Sequence, residues 1–166
     1  MKYILLLSIL AICTITDIKE RKIHNSVLLL GLIMALLLNA HEGGPGGMLD
    51  SLKGLAAGTA LFFVPYLLGW MGAGDAKLTG IIGAFGGWQF AVYAIICTAV
   101  AGGVISLYLL IKHKKACSLM QNLKMYIFTR SFYYLRDHDG QDTFPYAVAI
   151  SLGTSLALGL RVMGYV

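Results

Sequence analysis

Apolar residues in this chain come in long unbroken blocks, with neither the alternation of a half-buried strand nor the stripe of a surface helix. No Lys, Arg, Asp or Glu interrupts 54–74 or 78–111. Uncharged apolar stretches of about 18 or more residues read as membrane spans. Divided at Gly, Pro and charge, the blocks give six segments: 2–16, 26–40, 51–70, 76–87, 90–111 and 144–163. The pattern predicts an all-α polytopic membrane protein with six transmembrane helices, a single domain over 1–166. Between segments two and three, His41-Glu42-Gly43-Gly44-Pro45-Gly46-Gly47 reads as a flexible turn. Between four and five, Gly86-Gly87-Trp88-Gln89 is a short break, with Trp88 as an interfacial anchor. The stretch 118–135 mixes Leu119, Leu123, Ile127 and Tyr134 with Lys124 and Arg130. It is too polar to span and too apolar to stay solvated. An interfacial helix and a soluble cap on the ends of the spans both fit it.

Composition agrees: 58% of residues are hydrophobic and 13% charged, against about 25% charged in soluble domains. The net charge of +5 does not mark a nucleic-acid binder, because the basic residues sit at the ends of apolar blocks. Ten of the thirteen fall on one side of a six-span layout: Lys19, Arg21, Lys22, Lys77, Lys112, Lys114, Lys115, Lys124, Arg130 and Arg136. Lys2, Lys53 and Arg161 fall on the other. The positive-inside rule makes the first group cytoplasmic and turns both termini outward. The first apolar run lacks a small-x-small cleavage site, so it is expected as a retained span and not as a removed signal. No internal repeat is visible, which weakens a transporter reading.

Of the eight acidic residues, Asp17 and Asp75 differ from the rest. Each stands where an apolar segment meets its cytoplasmic end, so span parity places both carboxylates at one membrane face. Segment four has 12 residues, ~18 Å of helix, against a hydrocarbon core of about 30 Å. Local thinning, or helix ends drawn inward, would accommodate it. In the second case the carboxylates sit below the surface, where desolvation raises a carboxyl pKa. Two nearby carboxyls then share a proton, one serving as base on a water and the other polarising a peptide carbonyl. That chemistry requires no metal and no cofactor. Plainer readings stand beside it: Asp75 as an N-cap, and Asp17 as a solvated residue paired with Lys19 or Arg21.

Three motifs add to this. Gly69-Trp70-Met71-Gly72-Ala73-Gly74-Asp75-Ala76-Lys77-Leu78 resembles the GxGD motif, with its following Lys and Leu, of type IV prepilin peptidases and archaeal preflagellin peptidases. Asp17-Ile18-Lys19-Glu20-Arg21-Lys22-Ile23-His24-Asn25 is similar to the same family's other signature: Asp, a basic residue four later, then Ile-Pro-Asn. Here His24 replaces the usual Pro. Phe144-Pro145-Tyr146-Ala147, opening the last segment, is similar to the Pro-Tyr segment of short family members.

The resemblance implies an aspartyl endopeptidase of the cytoplasmic (inner) membrane, with Asp17 and Asp75 catalytic at the cytoplasmic face. Its partners would be a prepilin-like precursor, cut after a short basic leader, and the lipid bilayer. Gly72, Gly74 and Lys77 would shape the site; the glycines, lacking Cβ, permit close backbone approach and φ > 0. With no cysteine tetrad and nothing before segment one, the chain looks like the short, methylase-free form associated with tight-adherence (Flp) pili and archaeal preflagellin peptidases.

Other chemistries lack their residues. His24, His41, His113 and His138 have no HExxH spacing, and Cys13, Cys97 and Cys117 form no CxxC pair. The stretch 137–142 lacks the remaining ligands of a calcium loop, and no GxSxG supports a serine nucleophile. Two rival functions remain: a small transporter or channel with an Asp-based ion site, and a non-catalytic subunit of a secretion assembly.

Overall fold

A computed structural model describes residues 2–69, 71–112 and 146–164. All regular structure among them is helical: α1 (Lys2–Glu20), α2 (Asn25–Leu67), α3 (Ala73–Gly86), α4 (Trp88–Lys112) and α5 (Tyr146–Val162). The chain divides into two compact units, Met1–Gly102 with Pro145–Val166, and Gly103–Phe144. Of the second unit only 103–112, the end of α4, is described. The interfacial segment expected at 118–135 and the polar run at 137–142 lie outside the described residues.

Segments two and three meet at a kink within α2, which places the expected turn at 41–47 but narrows it to one residue. Helix continues through Glu42 and Gly43 and breaks only at Gly44, whose φ of 58° and ψ of −143° are non-helical. A positive φ suits glycine, and Pro45 directly after it suits a restarting helix, where its missing N–H costs nothing. The two arms fold back on each other. The Ala84 carbonyl accepts from Asn39 Nδ2 on the first arm, at 2.8 Å, and from Ser51 Oγ on the second, at 2.7 Å.

The packing around α3 explains its composition. From Asp75 to Phe85 every side chain except that of Lys77 is buried. A helix apolar on all sides belongs inside a bundle, and α3 lies against both arms of α2. On the second arm, Gly54 and Gly58 meet the backbone at Gly83 and Thr79 so closely that a Cβ on either would collide with a carbonyl oxygen. The Thr79 hydroxyl donates to the Gly58 carbonyl at 3.2 Å. With protein around it, this 14-residue helix has no need to match the bilayer thickness. Thinning of the membrane is therefore not required. The core of this unit is Leu6, Leu10 and Cys13 of α1, Leu78, Ile82 and Phe85 of α3, Phe90 of α4, and Ala147 and Ile150 of α5.

The outside is as apolar as the core. Leu29, Leu37, Val64 and Val100 are each at least 60% exposed, the inverse of a water-soluble surface. Two stretches, in Asn25–Leu67 and Trp88–Tyr108, are long and apolar enough to cross a membrane, and Tyr146–Val162 is a shorter apolar helix. Contacts define the two ends of the unit. At one end Lys2 Nζ bonds Glu42 at 2.7 Å and Asn39 at 3.2 Å, while Arg161 donates to the Gly86 carbonyl at 3.0 Å. The opposite end carries Asp17, Ile23, Asp75 and Ala147.

Candidate functional site

Asp17 lies in the last turn of α1, where the helix is about to stop. Arg21, at a φ of 52°, closes it with a backbone N–H to the Asp17 carbonyl at 2.9 Å, the bond of a left-handed C-terminal cap. The Asp17 side chain is 9% exposed, which excludes the solvated reading. Its Oδ2 accepts the backbone N–H of Ala147 at 3.2 Å. That N–H is one of the few at the start of α5 with no carbonyl of its own helix to bond. A carboxylate there is also favoured by the helix dipole.

Asp75 lies in the first turn of α3, ahead of the apolar stretch 76–86. It is not the N-cap. Gly72 is, and Asp75 stands three residues inside, its Oδ2 accepting the Gly72 N–H at 3.2 Å while its own N–H reaches the Gly72 carbonyl at 3.2 Å. Like Asp17 it is 9% exposed. Burial first, and the nearby charge of Asp17 second, push its carboxyl from the ordinary 3.8 up to about 6, with the Gly72 N–H opposing. The two carboxylates that the sequence marks out, from helices far apart in the chain, thus lie within range of each other's charge.

The accessory residues divide. Gly72 has a φ of −76° and ψ of 153°, and Gly74 is helical and absent from the positive-φ glycines, so the expectation of φ > 0 at these two positions fails. Gly69, at a φ of 74°, is the residue in this loop that takes that conformation. Close approach does account for Gly74, since a Cβ there would press on Ile23 in the loop that follows Asp17. Lys77, two residues beyond Asp75, is turned about 200° around the helix. Its Nζ is held by Asn25 Oδ1 at 3.0 Å. His24 stands where proline is usual and has a φ of −72°, within the range that a proline ring imposes. Its Nε2 lies 3.3 Å from Glu20 Oε2, so a side-chain contact helps to hold the turn.

Reasoning from sequence assigned no role to α5 at this site. Besides the Ala147 N–H, α5 brings Tyr146, whose hydroxyl feels the Asp75 charge. The Tyr146 ring packs 6.2 Å from that of Phe62. The Pro-Tyr motif was the available signal, but it names a helix start and not what that start touches. No cluster of three or more His, Cys, Asp or Glu stands where it could hold a metal among the described residues.

Comparison with known proteins points the same way. A family described as the type IV leader peptidase family matches residues 4–107. A prepilin leader peptidase/N-methyltransferase of Pseudomonas putida is 30% identical over 110 residues, which cover 62% of this chain and 38% of that protein. The chain therefore matches about two fifths of that relative's length. No solved structure matches.

Proposed function

The chain belongs to the type IV leader peptidase family, and we propose that it is an aspartyl endopeptidase that removes the leader peptide from type IV prepilin-like precursors, with Asp17 and Asp75 acting on one water. The observation that carries this reading is the pairing itself: two buried carboxylates at one end of the unit, the charge of one acting on the other. Structural carboxylates are seldom placed so, because like charges in a poorly solvated site repel.

The two environments divide the labour. Asp17, receiving the Ala147 N–H at the start of α5, is the base that takes a proton from water. Asp75, whose pKa is raised to about 6, is the acid of the pair: its protonated form, a minor fraction at neutral pH and the dominant one below about pH 6, donates towards the scissile carbonyl oxygen. The water oxygen bonds to the carbonyl carbon as its proton passes to Asp17. The tetrahedral intermediate then collapses as the C–N bond breaks, and the proton on Asp17 goes to the departing amine. Return of the hydroxyl proton to Asp75 regenerates the pair. The reaction uses no metal and no cofactor.

In this proposal the two arms of α2 count as separate spans, which gives six over a single peptidase domain. Lys19, Arg21, Lys22 and Lys77 put the site at the cytoplasmic face by the positive-inside rule. The substrate's apolar helix stays in the bilayer of the inner membrane while its leader junction enters the site. Gly72 and Gly74 shape the loop that carries Asp75, and Lys77 adds local positive charge.

The test uses the purified protein in proteoliposomes with a prepilin-like precursor, its products sized by mass. Asp17→Asn and Asp75→Asn each abolish cleavage under this mechanism, and retained cleavage by either folded variant would reject it.

A further inference from the structure

We propose that Thr14 and Ser151 are positioning residues for Asp17, forming a hydroxyl clasp between α1 and α5 that holds Ala147 against its carboxylate. This deepens the function proposed above and rests on Asp17 being catalytic.

The geometry is a closed set of bonds around one residue. Ala147 gives its N–H to Asp17 Oδ2 at 3.2 Å. Its carbonyl accepts the Ser151 hydroxyl at 2.6 Å and lies 3.5 Å from Thr14 Oγ1. The Thr14 and Ser151 hydroxyls also bond each other across the two helices. With the Ser151 proton directed to the Ala147 carbonyl, the bond between the hydroxyls takes its proton from Thr14. Thr14 precedes Asp17 by three residues and Ser151 follows Ala147 by four, so each pair shares one helix face. One seam of α1 therefore accepts the N–H of Ala147 directly, through Asp17, and supports its C=O through the Ser151 hydroxyl to which Thr14 donates.

Serine and threonine in helices routinely bond the carbonyl one turn back, and that alone would mean nothing. Ser155 does so to Ser151 at 2.8 Å, and Ser8 to Ile4 at 2.9 Å. Ser151 differs because its hydroxyl has a second partner on another helix, 137 positions away in the chain. That partner's helix also carries the carboxylate that Ala147 serves. Without the clasp the first turn of α5 is free to shift and take the Ala147 N–H with it. Binding of the precursor would be little affected, but the orientation of the base would suffer. A misplacement of 1 Å in an active site costs about 10²-fold in rate, and a partial shift costs less.

The experiment compares wild-type protein in proteoliposomes with Thr14→Val, Ser151→Ala, the double variant, Thr14→Ser and Ser151→Thr, with Ser155→Ala and Asp17→Asn as references. Each is measured for kcat and KM on a precursor and for thermal unfolding. Thr14→Val and Ser151→Ala are expected to lower kcat about tenfold with KM unchanged. The double variant should be no worse than either single change, because the hydroxyls act as one unit. Thr14→Ser and Ser151→Thr, which keep the hydroxyl, should retain most of the activity, and Ser155→Ala all of it. The proposal is overturned if Asp17→Asn is inactive while Thr14→Val and Ser151→Ala keep kcat within twofold, or if the hydroxyl-retaining variants lose as much as the others. If either truncated variant fails to fold, the other one and Thr14→Ala decide by the same criterion. Cleavage by Asp17→Asn would instead defeat the catalytic reading beneath it, a distinct result.

Discussion

Replacing Asp75 with Asn should stabilise the protein at neutral pH while abolishing its activity. Asn keeps an oxygen to accept the Gly72 N–H, now bonded at 3.2 Å, and removes the charge. The sign follows from linkage. The Asp75 carboxyl titrates at about 6 in the folded chain against 3.8 ordinarily, so the folded state holds the proton more tightly and stability falls as pH rises through this window. Below about pH 3.8 the penalty is absent, and above about pH 6 it is complete. The shift of about 2 units corresponds to a ceiling of about 3 kcal/mol at 1.36 kcal/mol per unit. Solvent screening at the mouth of the site brings it down to about 1–2 kcal/mol. For a chain of this size that raises Tm by about 2–8 °C. The assay is thermal unfolding in detergent micelles or nanodiscs at pH 7.5 and at pH 4. Asp75→Asn should gain over wild type at pH 7.5, and the gain should shrink at pH 4. Because the Asp17 charge is one cause of the shift, adding Asp17→Asn should bring less than the sum of the two single effects. An Asp75→Asn protein no more stable than wild type at pH 7.5, or additive effects in the double variant, would refute the picture of two carboxylates in conflict.

Two further predictions concern packing. Gly54→Ala should destabilise by about 1–3 kcal/mol, as overpacking does, because its Cβ would meet the Gly83 carbonyl. Gly43→Ala, with open space around it, should be close to neutral; unfolding in detergent distinguishes them. Thr154→Val should be neutral or stabilising, since the Thr154 hydroxyl is fully buried and has no hydrogen-bond partner among the described residues, and valine removes that unmet group while keeping the shape. A loss of more than about 1 kcal/mol in the same assay would mean that the hydroxyl has a partner after all.

The convergence of Asp17 and Asp75 was legible in the sequence because it depends only on counting apolar segments and noting where Lys and Arg fall. Parity is robust to boundary errors of several residues, and Gly44 turns the chain back between the two arms of α2. What depends on the path of the backbone through one residue was not legible. GxGD suggests glycines in a left-handed turn, yet both take ordinary conformations and the positive φ falls at Gly69. His24 breaks the Ile-Pro-Asn pattern, yet it takes the φ of a proline. In each case a residue type constrains what the backbone is allowed to do, and tertiary packing selects among the allowed states.

The α5 contribution lay further out of reach, for a physical reason. Ala147 acts through a backbone N–H that every residue but proline possesses, so its side chain carries no trace of the role. Thr14 and Ser151 read as unremarkable hydroxyls in apolar helices until α1 and α5 are packed together. A motif scan finds side chains that do chemistry; it does not find the main-chain donors that bond them. In the mechanism proposed above, that difference assigns the roles of the two acids. Side-chain identity does not distinguish the two aspartates, whereas an N–H at the start of a helix on one and burial beside a like charge on the other do. The asymmetry needed to divide one proton between two carboxyls comes from the fold around them.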